Sequence, residues 1–155
     1  MKNYLNQPGC SIFAHRGGCL ESSENTINAF QYAIELGSHY IETDVQLSKD
    51  GKVYIFHDDS LLRIAGIDQK FSDLNSTEID TIKIFKNESI PTLAEVLETF
   101  PDSKFNIDLK TDAVAIPALE ILKKHNAEGR ICIASFSDKR IELAKSYLPG
   151  VCTSM

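Results

Sequence analysis

Short apolar runs that end in a charged or proton-transferring side chain constrain this chain most. Ile12-Phe13-Ala14-His15-Arg16-Gly17 is one, and Val53-Tyr54-Ile55-Phe56-His57-Asp58 is another. Midway between them, Glu42-Thr43-Asp44 sits inside a third strand-like stretch. A run of this kind is what a buried parallel strand looks like when its C-terminal tip lines a catalytic mouth. Segments of helical period separate the runs, and that alternation predicts parallel strands joined by helical crossovers.

Ser11–His15 reads as a strand. Asn25–Leu36 reads as an amphipathic helix, with Ile27, Phe30, Ala33 and Ile34 at helical spacing and Gly37 as its stop. Tyr40–Leu47 and Val53–His57 are strands joined by Ser48-Lys49-Asp50-Gly51, where Asp-Gly supplies the positive φ of a tight turn. That link is too short for a crossover helix, and its spacing favours a hairpin. From Ser60 to Ile90 the pattern is irregular, with a short polar helix at Asn75–Ile82 and the character of an excursion over the mouth of a barrel. Thr92–Phe100, Ala113–His125 and Asp138–Tyr147 read as helices. Lys104–Lys110, Arg130–Phe136 and Val151–Met155 read as strands.

Strand periodicity decides which side chains can meet. Residues two apart share a face, so Glu42 and Asp44 point one way while Ile41, Thr43 and Val45 point the other. The same rule groups Asn106, Asp108 and Lys110 against Phe105, Ile107 and Leu109. Carboxylates alternating with apolar residues are hard to explain as core filling, because unpaired buried charge is costly. Without a cation they repel one another, and their oxygens suit Mg²⁺ or Ca²⁺ rather than zinc. Two histidines, a residue type that titrates near neutrality, and the forked donor of Arg16 complete a parts list for metal-assisted hydrolysis of a phosphate ester.

Composition narrows the alternatives. At 155 residues, 43% hydrophobic and 25% charged, the chain has apolar material for one core, so a single domain over 1–155 is expected. A net charge of −6 with no Lys/Arg cluster argues against a nucleic-acid partner. Cys10, Cys19, Cys132 and Cys152 lack metal-binding spacing and read as free thiols of a reducing compartment. The first nine residues lack an apolar signal core and no stretch approaches a membrane span, so cytoplasmic residence is expected. His39 and His125 read as surface or helix-end residues.

From Ile12 to Lys110 the sequence resembles the glycerophosphodiester phosphodiesterases. His15-Arg16-Gly17, Ser23-Glu24-Asn25-Thr26, Glu42-Thr43-Asp44, Lys49-Asp50-Gly51, His57-Asp58, Ile90-Pro91-Thr92-Leu93 and Asn106-Ile107-Asp108-Leu109-Lys110 follow one another as they do in that family. Beyond Lys110 the likeness thins to Ser135-Phe136. The resemblance implies an α/β fold, a (β/α) barrel of the triosephosphate-isomerase type, and on that ground both Tyr40–Leu47 and Val53–His57 are expected as barrel strands. It implies metal-dependent hydrolysis of a glycerophosphodiester to glycerol 3-phosphate and an alcohol. His15 and His57 match the proton-transferring residues, and Glu42, Asp44 and Asp108 match the ligands of Mg²⁺ or Ca²⁺. Arg16 and Lys110 match residues that contact phosphate, with Glu24 and Asn25 in support, although Asn25 or Thr26 also reads as a helix cap. Asp108 departs from the family, which has Glu there. Gly17 and Gly18 are expected to let the backbone approach the ligand.

A complete barrel of this type takes about 250 residues. The chain holds matches for five strands and the start of a sixth, so a barrel truncated after five to six strands is expected. Two further readings stand beside the first. One is a lysophospholipase D-like activity on a longer diester, which needs an apolar groove at the mouth. The other is an inactive partial barrel that binds a ligand or pairs with another chain, including a second copy edge to edge.

Overall fold

The computed structural model describes residues 4–5, 11–18, 23–85 and 87–155. Cys10 and Cys19 lie outside them. In chain order the elements are β1 (Phe13–His15), α1 (Ile27–Glu35), β2 (Tyr40–Leu47), β3 (Val53–Ile55), α2 (Leu62–Ala65), α3 (Ser76–Ile79), β4 (Lys83–Ile84) and β5 (Glu88–Ser89). Then come α4 (Leu93–Thr99), β6 (Lys104–Leu109), α5 (Asp112–Lys124), β7 (Ile131–Ala134), α6 (Asp138–Tyr147) and β8 (Cys152–Ser154).

The main sheet runs β1-β2-β6-β7-β8, every neighbouring pair parallel, with α1, α5 and α6 in the crossovers. This is the strand–helix order of a (β/α) barrel, and among the described residues β1 pairs with β2 alone and β8 with β7 alone. Outward-facing Ile41, Val45, Phe105, Ile107, Leu109, Ile131 and Ile133 pack beneath the helices in one continuous core with Phe30, Leu93, Val114, Leu119 and Ile141. The opposite face carries the polar groups in rows. His15 stands beside Glu42, Glu42 beside Asn106, and Asn106 beside Cys132, while Asp44 stands beside Asp108 one level nearer the strand tips. Tyr4, Tyr40 and Cys132 cluster together, with the Lys104 ammonium over both tyrosine rings and 2.6 Å from the Tyr4 carbonyl.

β3 is not a barrel strand. It runs antiparallel to β2, with Leu47 opposite Val53. Gly51 takes φ +88°, and the Ser48 N–H donates to the Lys52 carbonyl at 2.9 Å, so the five residues between Leu47 and Val53 reverse the chain and the spacing prevails over the resemblance. Among the described residues the parallel strands therefore number five, β8 being the fifth. The excursion that follows has its own small core of Tyr54, Phe56, Leu61, Phe71, Leu74, Ile79, Ile84 and Ile90.

Helix ends follow local chemistry. Thr26 caps α1 by accepting from Ala29 N–H at 3.1 Å, and the helix closes with Gly37 N–H to Ile34 and Ser38 N–H to Ala33, Gly37 at φ +88°. Thr92 and Glu95 form a reciprocal capping box that starts α4. Gly17, at φ +78°, serves packing on α1: an added Cβ would lie 2.7 Å from the Phe30 ring and 3.0 Å from the Ala29 main chain. Among the described residues no helix is long and apolar enough to cross a membrane.

Candidate active site

Around the strand tips His15, Arg16, Glu24, Asn25, Glu42, Asp44, His57, Asp108 and Lys110 are joined in one chain of polar contacts. At the end of β1, His15 Nε2 lies 3.7 Å from Glu42 Oε2, and Arg16 N–H donates to the same oxygen at 3.1 Å. The Arg16 side chain reaches Glu24 through Nη1 at 3.1 Å, and its Nε lies 3.5 Å from Asp44 Oδ2. The second contact is Coulombic only; the buried Nε makes no hydrogen bond. Lys110, just past β6, places its ammonium 2.8 Å from Asp44 and 2.7 Å from Asp108.

Backbone strain gathers here. Arg16 and Asn25 both take positive φ, +52° and +55°, and Asn25 N–H donates to the Arg16 carbonyl at 2.9 Å. A left-handed arginine costs free energy that surrounding contacts must offset. Asn25 is no helix cap, since Thr26 takes that role. Its buried amide donates to Asp44 Oδ2 at 3.1 Å and accepts from the Thr43 hydroxyl at 2.7 Å, bridging strand and loop.

The electrostatics ask for positive charge. Burial first, and the neighbouring Asp44 second, push the Glu42 carboxyl up to about 7, against the smaller opposing pull of Arg16 and Lys110. Burial disfavours the Lys110 ammonium, but the hydrogen bonds it donates to Asp108 and Asp44 outweigh it and hold its pKa above the ordinary value. Among the described residues no three His, Cys, Asp or Glu side chains stand close enough to form a ready cation cage. Glu42 is turned to the Arg16 N–H, and both aspartates to Lys110. Two buried oxygens on one face of β6, Asn106 Oδ1 and Asp108 Oδ1, nevertheless accept nothing. Orphaned buried acceptors beside a crowd of carboxylates are donor chemistry that fits a hard divalent cation.

The sequence profile of the glycerophosphoryl diester phosphodiesterase family matches residues 15–155. The chain belongs to that family. A glycerophosphodiester phosphodiesterase of Caldanaerobacter subterraneus is 36% identical over 152 residues, covering 89% of this chain and 63% of that protein. A lysophospholipase D of Homo sapiens is 35% identical over 130 residues, covering 74% of this chain and 41% of that protein. The solved structure of an Oleispira antarctica phosphodiesterase in complex with the product sn-glycerol-3-phosphate superimposes with a TM-score of 0.86 at 28% identity, covering 93% of this chain and 64% of that one. The chain thus spans between about two fifths and two thirds of the length of these relatives.

Two residues of this family member's site escape sequence reasoning. Asp58 stands next to His57 in the motif, and its Oδ1 lies 2.6 Å from His57 Nδ1. Arg63 on α2 binds Asp58 through Nε at 2.6 Å and Nη2 at 3.0 Å, and Glu24 through Nη2 at 2.7 Å and Nη1 at 3.1 Å. An unbroken series of contacts therefore runs from His15 through Glu42, Arg16, Glu24, Arg63 and Asp58 to His57. A basic residue five positions after the His-Asp pair was the available signal, but a four-residue helix carries no period to mark it.

Proposed function

We propose that this site hydrolyses a glycerophosphodiester, such as glycerophosphocholine or glycerophosphoethanolamine, to glycerol 3-phosphate and an alcohol. The observation that carries the reading is the register of β2 against β6, which gathers Glu42, Asp44, Asn106 and Asp108 into one space with two buried oxygens unpartnered. Glu42, Asp44 and Asp108 would hold a divalent cation, Mg²⁺ or Ca²⁺. Bound there, it supplies Lewis-acid polarisation of the phosphoryl group and charge neutralisation.

The chain's own residues do the rest. The buried Arg16 Nε, with no hydrogen bond of its own, is an available donor for a phosphoryl oxygen, and Lys110 adds a point charge beside it. The two histidines share the proton work: one removes the proton from the attacking oxygen, and the other protonates the departing head-group oxygen as its bond to phosphorus breaks. Asp58 occupies Nδ1 of His57 and thereby leaves Nε2 for that transfer.

The lysophospholipase D-like reading is less favoured. The apolar groove formed by Ile12, Ala14, Tyr32, Leu36 and Tyr40 lies along the outer face of β1, away from the carboxylates. The test is conversion of sn-glycero-3-phosphocholine by a molar excess of the chain with Mg²⁺ or Ca²⁺, followed by ³¹P NMR. Cation-dependent formation of glycerol 3-phosphate is expected, lost in His15→Ala and in His57→Ala. No conversion with either cation, or equal conversion in both histidine variants, would overturn the proposal.

A further inference from the structure

We infer that Arg63 is a positioning residue, which locks the Asp58 carboxylate so that Asp58 holds the His57 ring by Nδ1 and presents Nε2 to the reacting phosphate ester. This rests on the proposed hydrolysis for its purpose, though its geometry stands independently. His57 and Asp58 are adjacent in the chain, and a carboxylate beside the ring it orients needs an outside holder to select one rotamer. The main chain of the pair is fixed separately, by the Gln46 amide donating to the Asp58 carbonyl at 3.2 Å and reaching the His57 carbonyl at 3.4 Å. Only the side chains remain to be set.

Arg63 sets them. Its planar fork engages both oxygens of Asp58 and both oxygens of Glu24, and two bidentate contacts fix a guanidinium in direction as well as distance. Its backbone is in turn anchored by fully buried Leu61 before it and by Ile64 and Ala65 packed on the excursion's core, while Gly66 at φ +70° ends the helix. The Arg63 hydrogen bonds, foremost among several causes, also hold the Asp58 carboxyl below its ordinary range, so it stays an acceptor for the ring N–H. Glu24 ties the assembly to Arg16 and through it to the phosphate side of the site. The small excursion core thus reports to the catalytic histidine through one arginine.

A merely structural surface ion pair would tether α2 and leave the His57 ring unchanged, and that difference is measurable. Two-bond ¹H–¹⁵N correlation spectra of the chain, with His57 assigned by its loss in His57→Gln, report which ring nitrogen carries the proton in the neutral form. The Nδ1–H tautomer is expected to dominate in the natural sequence. Arg63→Gln and Arg63→Lys should both shift it toward the Nε2–H form, since neither replaces the fork. Asp58→Asn, which keeps the side chain's shape, should do the same. Turnover of sn-glycero-3-phosphocholine should fall about 10-fold to 100-fold in kcat for Arg63→Gln, with KM nearly unchanged. The double variant Arg63→Gln with Asp58→Asn should be no slower than Asp58→Asn alone, because the arginine acts through the aspartate. An unchanged tautomer in Arg63→Gln or in Asp58→Asn, or losses that multiply in the double variant, would overturn the assignment. Failure of the natural chain to convert the diester while the tautomer still shifts would refute the hydrolytic reading and leave the positioning role supported.

Discussion

Asp44 and Asp108 stand directly opposite each other on neighbouring parallel strands, and the Lys110 ammonium lies 2.8 Å from one and 2.7 Å from the other. Asp44 is 2% exposed and Asp108 only 9% at the side chain, so these charges are tolerated because Lys110 divides itself between them. Lys110→Met removes that compensation and leaves two buried carboxylates face to face. It should lower unfolding free energy by about 3 kcal/mol. Urea denaturation checks this, and added Mg²⁺ should restore more stability to the variant than to the natural chain.

Glu42 gives the stability a pH dependence. Its carboxyl is raised from 4.5 to about 7 in the folded protein, so between those values the native state binds more proton than the unfolded chain. Stability contributed by the protonated form is full below about pH 4.5 and is lost as pH rises through 7. The whole effect is at most about 3 kcal/mol at 1.36 kcal/mol per unit. In chelator-treated protein, Glu42→Gln should be nearly neutral at pH 5 and stabilising at pH 8, as read from paired urea curves.

Gly17 couples the loop after β1 to the first helix. Because a Cβ would lie 2.7 Å from the Phe30 ring in a backbone at φ +78°, Gly17→Ala should cost about 2 kcal/mol or more. Thermal unfolding measures the loss. A variant as stable as the natural chain would show that α1 can move away without penalty.

Much of this architecture is legible in the sequence where apolar residues recur at the period of the element. Tyr40–Leu47 and Asp138–Tyr147 form over the spans their patterns indicate, with Ile41, Val45, Ile141 and Ala144 all in the main core. The period of two puts Glu42 with Asp44 and Asn106 with Asp108, and the register of β2 against β6 joins the two pairs on one face. The direction of β3 is legible too, from the length of the Ser48–Gly51 link, but the resemblance to barrel enzymes pointed the other way. Asp58 and Arg63 stay hidden for a different reason. Their pairing closes between a loop and a one-turn helix, where no periodicity says which side chains meet. Gly17 is legible as a glycine with a reason, and the structure adds one that the pattern does not carry, the packing of α1.

The open sheet has its own consequence. Among the described residues β1 pairs with β2 alone, and beside it Ile12 and Leu36 are 73% and 69% exposed. Exposed apolar side chains at the end of a sheet favour association. Sedimentation should show concentration-dependent pairing of the chain, and Ile12→Lys combined with Leu36→Lys should shift it to monomer. A monomer at all concentrations would remove the edge as a contact.

Asp108 stands where relatives are expected to have Glu, one methylene longer. If the carboxylates of β2 and β6 hold a cation together, Asp108→Glu should reach further and bind it more tightly. Calorimetric titration with Mg²⁺ and with Ca²⁺ reads this as a lower Kd in the variant, and a higher Kd would mean that the strands have already adjusted to aspartate.

The most direct measurement is that same titration on the natural chain and on the double variant Glu42→Gln with Asp44→Asn. One cation site in the natural chain, abolished in the double variant while its circular dichroism spectrum is retained, is the predicted result. Equal binding by both proteins would contradict the assignment of these carboxylates, and with it the hydrolytic chemistry built on them.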